Sequence, residues 1–280
     1  MGFCLWFAFL LIIFAFICEY MDSTLGMGYG TTLTPVLLIM GYEPLQIVPV
    51  ILVSELITGL LAALFHHMEG NVNFMPEKTS FSEIAQKLKH LGYLETFKRD
   101  APLHLKVALI LGVCSVIGTI TAVFIAVNIP KLWIKLYIGF LVLSMGIFIL
   151  ICLNKSFKFS WKKIIGLGLL ASFNKGVSGG GYGPVVTSGQ ILSGVESKSA
   201  IGITSLAEGL TCAVGIIAYI LVSKRPLDMQ FALFIITGAV LSVPFSVKSV
   251  KAITEKRLKL AIAVLTIVLG IFTLYKVLKP

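Results

Sequence analysis

The chain has 280 residues, of which 57% are hydrophobic and only 13% are charged. A soluble domain of this size needs far more polar surface, so the composition excludes a soluble globular protein. The formal net charge of +10 does not indicate nucleic-acid binding. The lysines and arginines lie in short loops between apolar segments and form no basic run with interleaved aromatic residues.

Apolar stretches long enough to enter or span a bilayer recur along the chain. They lie at 3–21, 45–65, 104–127, 132–153, 162–174, 199–222, 229–247 and 258–278. We therefore predict an all-α, polytopic protein of the cell membrane with about eight membrane segments. The first stretch has no charged region before it and no clear cleavage site, which favours a retained helix over a signal peptide. The cysteines are scattered and show no metal-binding spacing, so no cofactor or metal site is predicted.

Two glycine-rich breaks interrupt this apolar pattern, GMGYG at 26–30 and GGGYG at 179–183. The two copies align without a gap, and the aligned pairs are Gly26 with Gly179, Gly28 with Gly181, Tyr29 with Tyr182, Gly30 with Gly183, Thr34 with Thr187 and Glu55 with Glu208. This agreement predicts an internal duplication, with one repeat at 1–153 and the other at 154–280. An insertion in the first repeat, about 71–103, has apolar residues at helical spacing and predicts an amphipathic helix on the membrane surface.

The short apolar segment after each break sets the orientation of the repeats. Gly30 and Gly41 are separated by ten residues, which as a helix span about 15 Å, half of a bilayer core. Such a segment either completes a broken span, giving parallel repeats, or returns as a re-entrant hairpin, giving inverted repeats. The inverted arrangement concentrates the lysines and arginines on one side and is favoured. The length of the first apolar stretch, 3–21, favours the parallel alternative.

The breaks themselves predict a binding site. Non-helical backbone inside a membrane is tolerated only where it is buried in protein or lines a polar cavity. Half-helices that begin at such breaks direct free N–H groups at an anion, and glycine lets a solute reach the backbone. The predicted substrate-binding residues are Gly26, Gly28, Tyr29, Gly30, Thr31, Thr32, Asn174, Lys175, Gly179, Gly180, Gly181, Tyr182, Gly183 and Thr187.

Charged residues inside the apolar segments are the candidates for ion coupling. Glu55 and Glu208 lie about ten residues into equivalent helices, where a carboxyl is neutral, paired or facing water. They either carry protons that move with a solute or form hydrogen bonds between helices. Asp22 and Lys175 occupy matching positions before the two breaks with opposite signs. They either pair with each other, or Lys175 supplies positive charge to a bound anion.

Two other functional classes remain open at this stage. The Gly-Tyr-Gly sequence is similar to a potassium-channel filter, which favours a cation channel, although the Thr-Val that precedes it in such filters is missing. An integral-membrane enzyme needs a catalytic constellation, and Lys175 with Ser178 is the nearest approach to one. We predict that the protein is not an enzyme. His66 and His67 are expected at the membrane interface.

The glycine pattern and the residues after it resemble the sulfite exporter TauE/SafE family of membrane permeases. The second copy fits best, with GGGYG followed by GVESKSAIGITS at 194–205, and the first copy departs at GYEPLQIVPVIL. HHMEGNV at 66–72 is also similar to the family's sequence after its second helix. The resemblance implies a secondary transporter of small sulfur oxyanions or organosulfonates with proton or ion coupling, and therefore a small anionic substrate as its partner in the bilayer.

Overall fold

The structure is a computed structural model that describes residues 2–75, 101–151, 160–192, 195–223, 228–250, 252 and 254–279. Over these residues the backbone is helical without a strand, so the predicted all-α multi-pass class is confirmed. The described helices are α1 (Gly2–Leu25), α2 (Tyr29–Ile39), α3 (Pro44–Met68), α4 (Leu103–Asn128), α5 (Lys131–Ile151), α6 (Trp161–Ser178), α7 (Tyr182–Leu192), α8 (Ser197–Ser223), α9 (Met229–Ser249) and α10 (Glu255–Leu278). Most of the predicted surface helix at 71–103 lies outside the described residues.

Among the described residues, six helical segments are long and apolar enough to cross a membrane. They are Ala8–Leu25, Pro44–Met68, Leu103–Asn128, Lys131–Phe148, Ser197–Ser223 and Met229–Ser249. Tyr29–Ile39 and Ala263–Leu278 are shorter apolar helical segments. The 25 residues of α3 rise about 37 Å, more than the roughly 30 Å of a hydrocarbon core, whereas the 11 residues of α2 rise only about 16 Å. The predicted count of eight membrane segments stays a prediction.

The half-length helices α2 and α7 begin directly after the two glycine-rich breaks. Each has 11 residues and starts at the tyrosine of its Gly-Tyr-Gly sequence. The helices before them, α1 and α6, end where Gly26 and Gly179 adopt left-handed φ angles of 67° and 73°. Glycine adopts this conformation without the Cβ clash of other residues, which explains why both helices stop at the same place in the pattern.

Contacts between the two parts of the chain follow one pattern. Helix α1 packs on α9 as α6 packs on α4, and α3 packs on α9 as α8 packs on α4. In addition, α3 packs on α8 and α5 packs on α10. The pattern becomes symmetric when α1 is matched with α6, α2 with α7, and so on to α5 with α10. Each of these contacts then either has a counterpart in the other half or joins two helices that are matched with each other.

One group of helix ends lies where α2 finishes, and we name it the first face. It contains the end of α2, the starts of α3, α5 and α9, and the end of α10. The Tyr42 ring stacks on Phe231 with centroids 4.7 Å apart, and Lys135 Nζ lies 3.5 Å from Glu43 Oε1. These contacts fix the approach of α5 and α9 to the start of α3.

The opposite group of helix ends lies where α3 finishes, and we name it the second face. Asn73 N donates to His104 Nδ1 at 3.1 Å, and Ser199 Oγ donates to the Asn71 carbonyl oxygen at 3.3 Å. The starts of α4 and α8 therefore lie beside the end of α3. The short connection from α7 to α8 places the end of α7 at this face as well, since Val195 N donates to Gln190 O at 3.0 Å.

Candidate functional site

The two glycine-rich breaks lie against each other inside the bundle. A Cβ atom on Gly30 would overlap the carbonyl oxygen of Gly179, and one on Gly183 would overlap the carbonyl oxygen of Gly26. A Cβ on Gly180 would lie 2.6 Å from Thr31 N. Glycine is required at these positions because the backbone of one break packs directly on the backbone of the other.

Hydrogen bonds from the half-helices tie each break to the opposite one. Thr34 Oγ1 on α2 donates to the Ser178 carbonyl oxygen at 2.9 Å, and Thr187 Oγ1 on α7 donates to the Gly26 carbonyl oxygen at 2.6 Å. Gly181 N also donates to Thr31 Oγ1 at 3.0 Å. Thr34 and Thr187 are equivalent in the sequence alignment, and their two acceptors differ by one aligned position. Their bonds satisfy carbonyl groups that a broken helix leaves free inside the bundle.

The predicted substrate-binding residues come together at this contact. All of them are buried, namely Gly26, Gly28, Tyr29, Gly30, Thr31, Thr32, Asn174, Lys175, Gly179, Gly180, Gly181, Tyr182, Gly183 and Thr187. The two tyrosine rings pack into separate apolar clusters. The Thr32 hydroxyl is buried without a hydrogen-bond partner among the described residues, and such a group costs about 1–3 kcal/mol. A polar solute at the break would recover that cost.

A buried ion cluster lies beside the second break. Lys175 Nζ is in contact with Glu55 Oε2 and lies 2.7 Å from Glu208 Oε1. The lysine is on α6, and its carboxylate partners come from α3 and α8, so one ammonium group joins three helices. All three side chains are buried, and one oxygen of Glu55 has no hydrogen-bond partner among the described residues. Among the described residues, the ion-pair partners of Lys175 are therefore Glu55 and Glu208, and Asp22 is not one of them.

The first break carries two further carboxyl groups. Asp22 is half-buried, and its Oδ1 accepts from Tyr29 N at 3.2 Å, which places a negative charge at the start of α2. Glu19 is buried and accepts hydrogen bonds from Ser23 Oγ at 2.5 Å and Thr58 Oγ1 at 3.0 Å. The sequence prediction missed Glu19. Its signal was the one used for Glu55, an acidic residue inside an apolar run.

The charges around the breaks do not balance if every group is ionised. Among the described residues around the breaks, Lys175 supplies one ammonium group and contacts Glu55 and Glu208, while Glu19 and Asp22 add two further carboxyl groups. Each uncompensated buried ion costs several kcal/mol. The arrangement therefore favours bound protons on part of these carboxyl groups.

A line of polar side chains continues from the second break along α7. Thr187 Oγ1 lies 2.9 Å from Thr204 Oγ1, which accepts from Gln190 Nε2 at 2.9 Å. The other amide atom, Gln190 Oε1, has no hydrogen-bond partner in the described structure. Sequence reasoning included Thr204 only through the Gly-Ile-Thr-Ser motif and missed Gln190, whose helical spacing of three from Thr187 was the available signal.

The histidine and the Ser-Lys pair named in the sequence analysis are engaged in contacts within the protein. His66, which was expected at the membrane interface, is buried within the protein, with Nε2 2.9 Å from the Ser23 carbonyl oxygen. Gly202 on α8 lies against its Cβ, so α8 and the end of α1 together cover this side chain. Ser178 Oγ donates to the Asn174 carbonyl oxygen at 2.7 Å, whereas the Lys175 ammonium is held by the two glutamates. The nearest approach to a Ser-Lys pair is therefore used for structural contacts.

Paired broken helices beside buried charges, within a multi-pass helical bundle, are typical of membrane transporters. The profile of the family described as "Sulfite exporter TauE/SafE" matches residues 90–273, and the chain belongs to this family of membrane transporters, as the sequence resemblance predicted. It is also similar to the "Probable membrane transporter protein YtnM" of Bacillus subtilis (strain 168), with 26% identity over 252 residues, 84% of this chain and 73% of that protein. No solved structure matches the chain. A multi-pass location in the cell membrane follows.

Proposed function

We propose that this protein is a secondary transporter of a small sulfur-containing anion, namely sulfite, another sulfur oxyanion or an organosulfonate. The anion would bind at the membrane midplane between the two glycine-rich breaks, and its movement would be coupled to protons or another ion. The observation that carries this proposal is the direct contact of the two breaks beside the buried Lys175 cluster. The name of the family supports the substrate class.

The direction of the helices supports inverted repeats at 1–153 and 154–280. Helix α1 runs parallel to α9, since Gly238 packs on Ile12 and Thr24 Oγ1 donates to Ser246 O at 3.4 Å. Because α9 starts at the first face, α1 enters from that face and α2 returns to it. Helix α6 runs parallel to α4, since Gly168 packs on Leu111 and Gly176 packs on Ala122, so α6 enters from the second face. Two re-entrant hairpins from opposite faces, each followed by three helices, fit an inverted duplication.

The closed contact between the breaks corresponds to an occluded state of such a transporter. For a solute to enter, the hairpin α1–α2 and the hairpin α6–α7 must separate on one side while staying joined on the other. The hydroxyls of Thr31, Thr32 and Thr187 would then be freed to donate to an oxyanion, together with the N–H groups at the starts of the half-helices. Lys175 would supply the positive charge.

Proton coupling follows from competition for Lys175. While Glu55 and Glu208 are both ionised, they hold the ammonium group between them. Protonation of either carboxyl group weakens that hold and lets Lys175 interact with an anion. The further carboxyl groups, Asp22 and Glu19, extend the set of proton acceptors toward the first break. Anion binding and proton binding would therefore favour each other, which is the thermodynamic basis of symport or exchange.

The alternatives are less well supported. In each Gly-Tyr-Gly sequence the tyrosine and second glycine form the first turn of α2 or α7, whereas a potassium filter needs rows of carbonyl oxygens that face a pore. Membership of a transporter family is consistent with a non-enzymatic role. These observations favour a transporter over a cation channel and over a membrane enzyme.

Flux measurements on purified protein in liposomes test the proposal. We expect saturable flux of sulfite, sulfate, thiosulfate or taurine that accelerates under an imposed pH gradient of one direction. Chloride and potassium flux in the same liposomes are the controls. Potassium conductance without sulfur-anion flux would support the channel, and the absence of flux for every sulfur anion would overturn the proposed substrate class.

A further inference from the structure

A basic cavity of about 340 Å³ lies at the first face, at the end of α2 that is farthest from the break. Three lysines line it, Lys131 and Lys135 from α5 and Lys276 from α10. The 11 residues of α2 place this cavity about 16 Å from the glycine contact. It is therefore separate from the site proposed between the breaks.

The lysines of this cavity are only partly compensated. Lys131 Nζ lies 3.3 Å from Glu43 Oε2 and Lys135 Nζ lies 3.5 Å from Glu43 Oε1, so two ammonium groups share one carboxylate. Lys276 Nζ donates to the Ile39 carbonyl oxygen at the end of α2. Within the described part of the chain, Glu43 is the single carboxylate that contacts these amines, and the cavity carries a net positive charge.

Helix geometry explains only one of these lysines, Lys276, which lies in the last turn of α10. Basic residues are favourable in the last turn of a helix, where the dipole is negative. Lys131 and Lys135 instead lie in the first two turns of α5, where the dipole is positive and adds to their charge.

Membrane topology does not explain the lysines either. Basic residues that set the orientation lie on the cytoplasmic side. The described helix ends of the second face carry most of them, namely Lys106, Lys162, Lys163, Lys198, Lys248, Lys256, Arg257 and Lys259. The first face is then the non-cytoplasmic side, where no topological rule requires a cluster of positive charges. Contacts with Glu43 and with the Ile39 carbonyl oxygen give these lysines a structural role, but one carboxylate cannot neutralise three ammonium groups. An anion in the cavity would compensate the excess positive charge.

We propose that this cavity binds the oxyanion group of a small anion, such as sulfate, sulfonate or phosphate, at the non-cytoplasmic entrance. Several ammonium donors around an open cavity suit a tetrahedral oxyanion, because each N–H bond to a charged oxygen is strengthened by the opposite charge. The inference that this cavity is an entrance for the transported anion rests on the proposed function. The phosphate of an anionic lipid headgroup has the same chemistry, and the experiment below separates the two sources.

The test compares sulfate binding to wild-type protein and to the double variant Lys131→Gln/Lys135→Gln, by calorimetry in neutral detergent at low ionic strength. We expect the loss of two charges to weaken sulfate binding by about tenfold or more. The control Lys162→Gln/Lys248→Gln removes two exposed lysines from the second face and should bind sulfate as wild type does. Equal affinity in all three proteins would overturn the proposal.

A second variant guards against misfolding of the first. Glu43→Gln removes the competing carboxylate but keeps an oxygen for the start of α3, where the Glu43 side chain caps the helix. We expect tighter sulfate binding in this variant, because the two lysines no longer have an internal partner. Unchanged or weaker binding would contradict the inference.

Lipid nanodiscs distinguish the two sources of the anion. If phosphatidylglycerol in phosphatidylcholine discs abolishes sulfate binding to the wild type, the headgroup is the occupant. If sulfate still binds, the occupant is a soluble anion, and the double variant should then raise the KM for transport and leave the maximal rate unchanged. A third outcome is that the wild type binds sulfate, the double variant does not, and no anion flux is detected. That outcome would overturn the proposed function but retain the anion site.

Discussion

The half-helices α2 and α7 share a structural frame and differ in their chemistry. Gly30 and Gly183 are the same at aligned positions, as are Thr34 and Thr187, and these two pairs make contacts between the breaks in both directions. The positions around that frame have diverged. The second half is the more polar or basic at Asp22 against Lys175, Leu37 against Gln190 and Ile51 against Thr204. The first half is the more polar at Thr31 against Pro184 and Thr32 against Val185. Backbone contact therefore keeps the frame symmetric, whereas the surrounding side chains are free to specialise.

The divergence indicates where an anion would bind. At the first break, Asp22 Oδ1 already accepts from Tyr29 N at the start of α2, so this N–H group is not free to bind an anion. At the second break, the equivalent position carries Lys175, and a polar line runs along α7 through Gln190. The apolar counterpart Leu37 is fully buried in the largest apolar cluster. We expect the anion to lie closer to the second break.

Removal of the cation at the second break should have the largest effect. Lys175→Met leaves Glu55 and Glu208 without their shared partner in a buried site, and breaking a buried pair in this way costs about 3–5 kcal/mol. We expect a free energy of unfolding lower by that amount in denaturant titrations in detergent, together with loss of anion flux.

The rescue variant Lys175→Met/Glu208→Gln separates charge from packing. Replacing one carboxylate by a neutral amide should restore a large part of the lost stability but not the flux, because the positive charge for the anion is still missing. If the single variant were as stable as wild type, the buried ion cluster would not hold the three helices together as described.

The frame itself is tested by Gly30→Ala. The new methyl group would overlap the Gly179 carbonyl oxygen, and overpacking of this kind costs about 1–3 kcal/mol when the backbone must move. We expect lower thermal stability and strongly reduced flux in liposomes, since the two breaks could no longer close on each other.

Gly166→Ala is the matched control for this substitution. Gly166 lies inside α6 with open space around a Cβ, so alanine should be neutral or stabilise the helix by up to about 1 kcal/mol. Equal stability of the Gly30 and Gly166 variants would show that the breaks are not in tight contact.

The frame could be predicted from the sequence because it depends on the backbone. Glycine spacing, repeated twice and followed by segments of half length, locates the breaks without knowledge of the packing. Isolated charges in apolar runs likewise located Glu55, Glu208, Asp22 and Lys175. The pairing of these charges could not be predicted, because it depends on how α3, α6 and α8 approach one another.

Glu19 and Gln190, which the sequence prediction missed, illustrate the same limit of prediction from a single sequence. The sequence carries a signal for each of them, but it does not reveal their partners on other helices, Thr58 for Glu19 and Thr204 for Gln190. The burial of His66 has the same origin, since its partner is the Ser23 backbone on another helix. Single-sequence reasoning sees the residue type and its own helix but not the surface packed against it.

Gln190→Leu is expected to have the smallest effect, and it is the most direct test of the difference between α2 and α7. This variant gives α7 the residue that α2 has at the aligned position, Leu37. The variant loses the bond from Gln190 Nε2 to Thr204 Oγ1 but also removes the buried Oε1, which has no hydrogen-bond partner among the described residues. Because these effects oppose each other, the free energy of unfolding should change by no more than about 1 kcal/mol. Anion flux should fall by about tenfold, equivalent to about 1.4 kcal/mol of lost interaction with the solute.

The reciprocal exchange, Leu37→Gln, is the control. Leu37 is 0% exposed in an apolar cluster, and an amide there without a partner should lower stability by about 1–3 kcal/mol. Flux per folded molecule should stay close to that of wild type, because position 37 lies in an apolar cluster and not on the polar line along α7. Wild-type flux in Gln190→Leu, or an equal loss of flux in both variants, would mean that the two half-helices contribute alike and that the anion does not favour the second break.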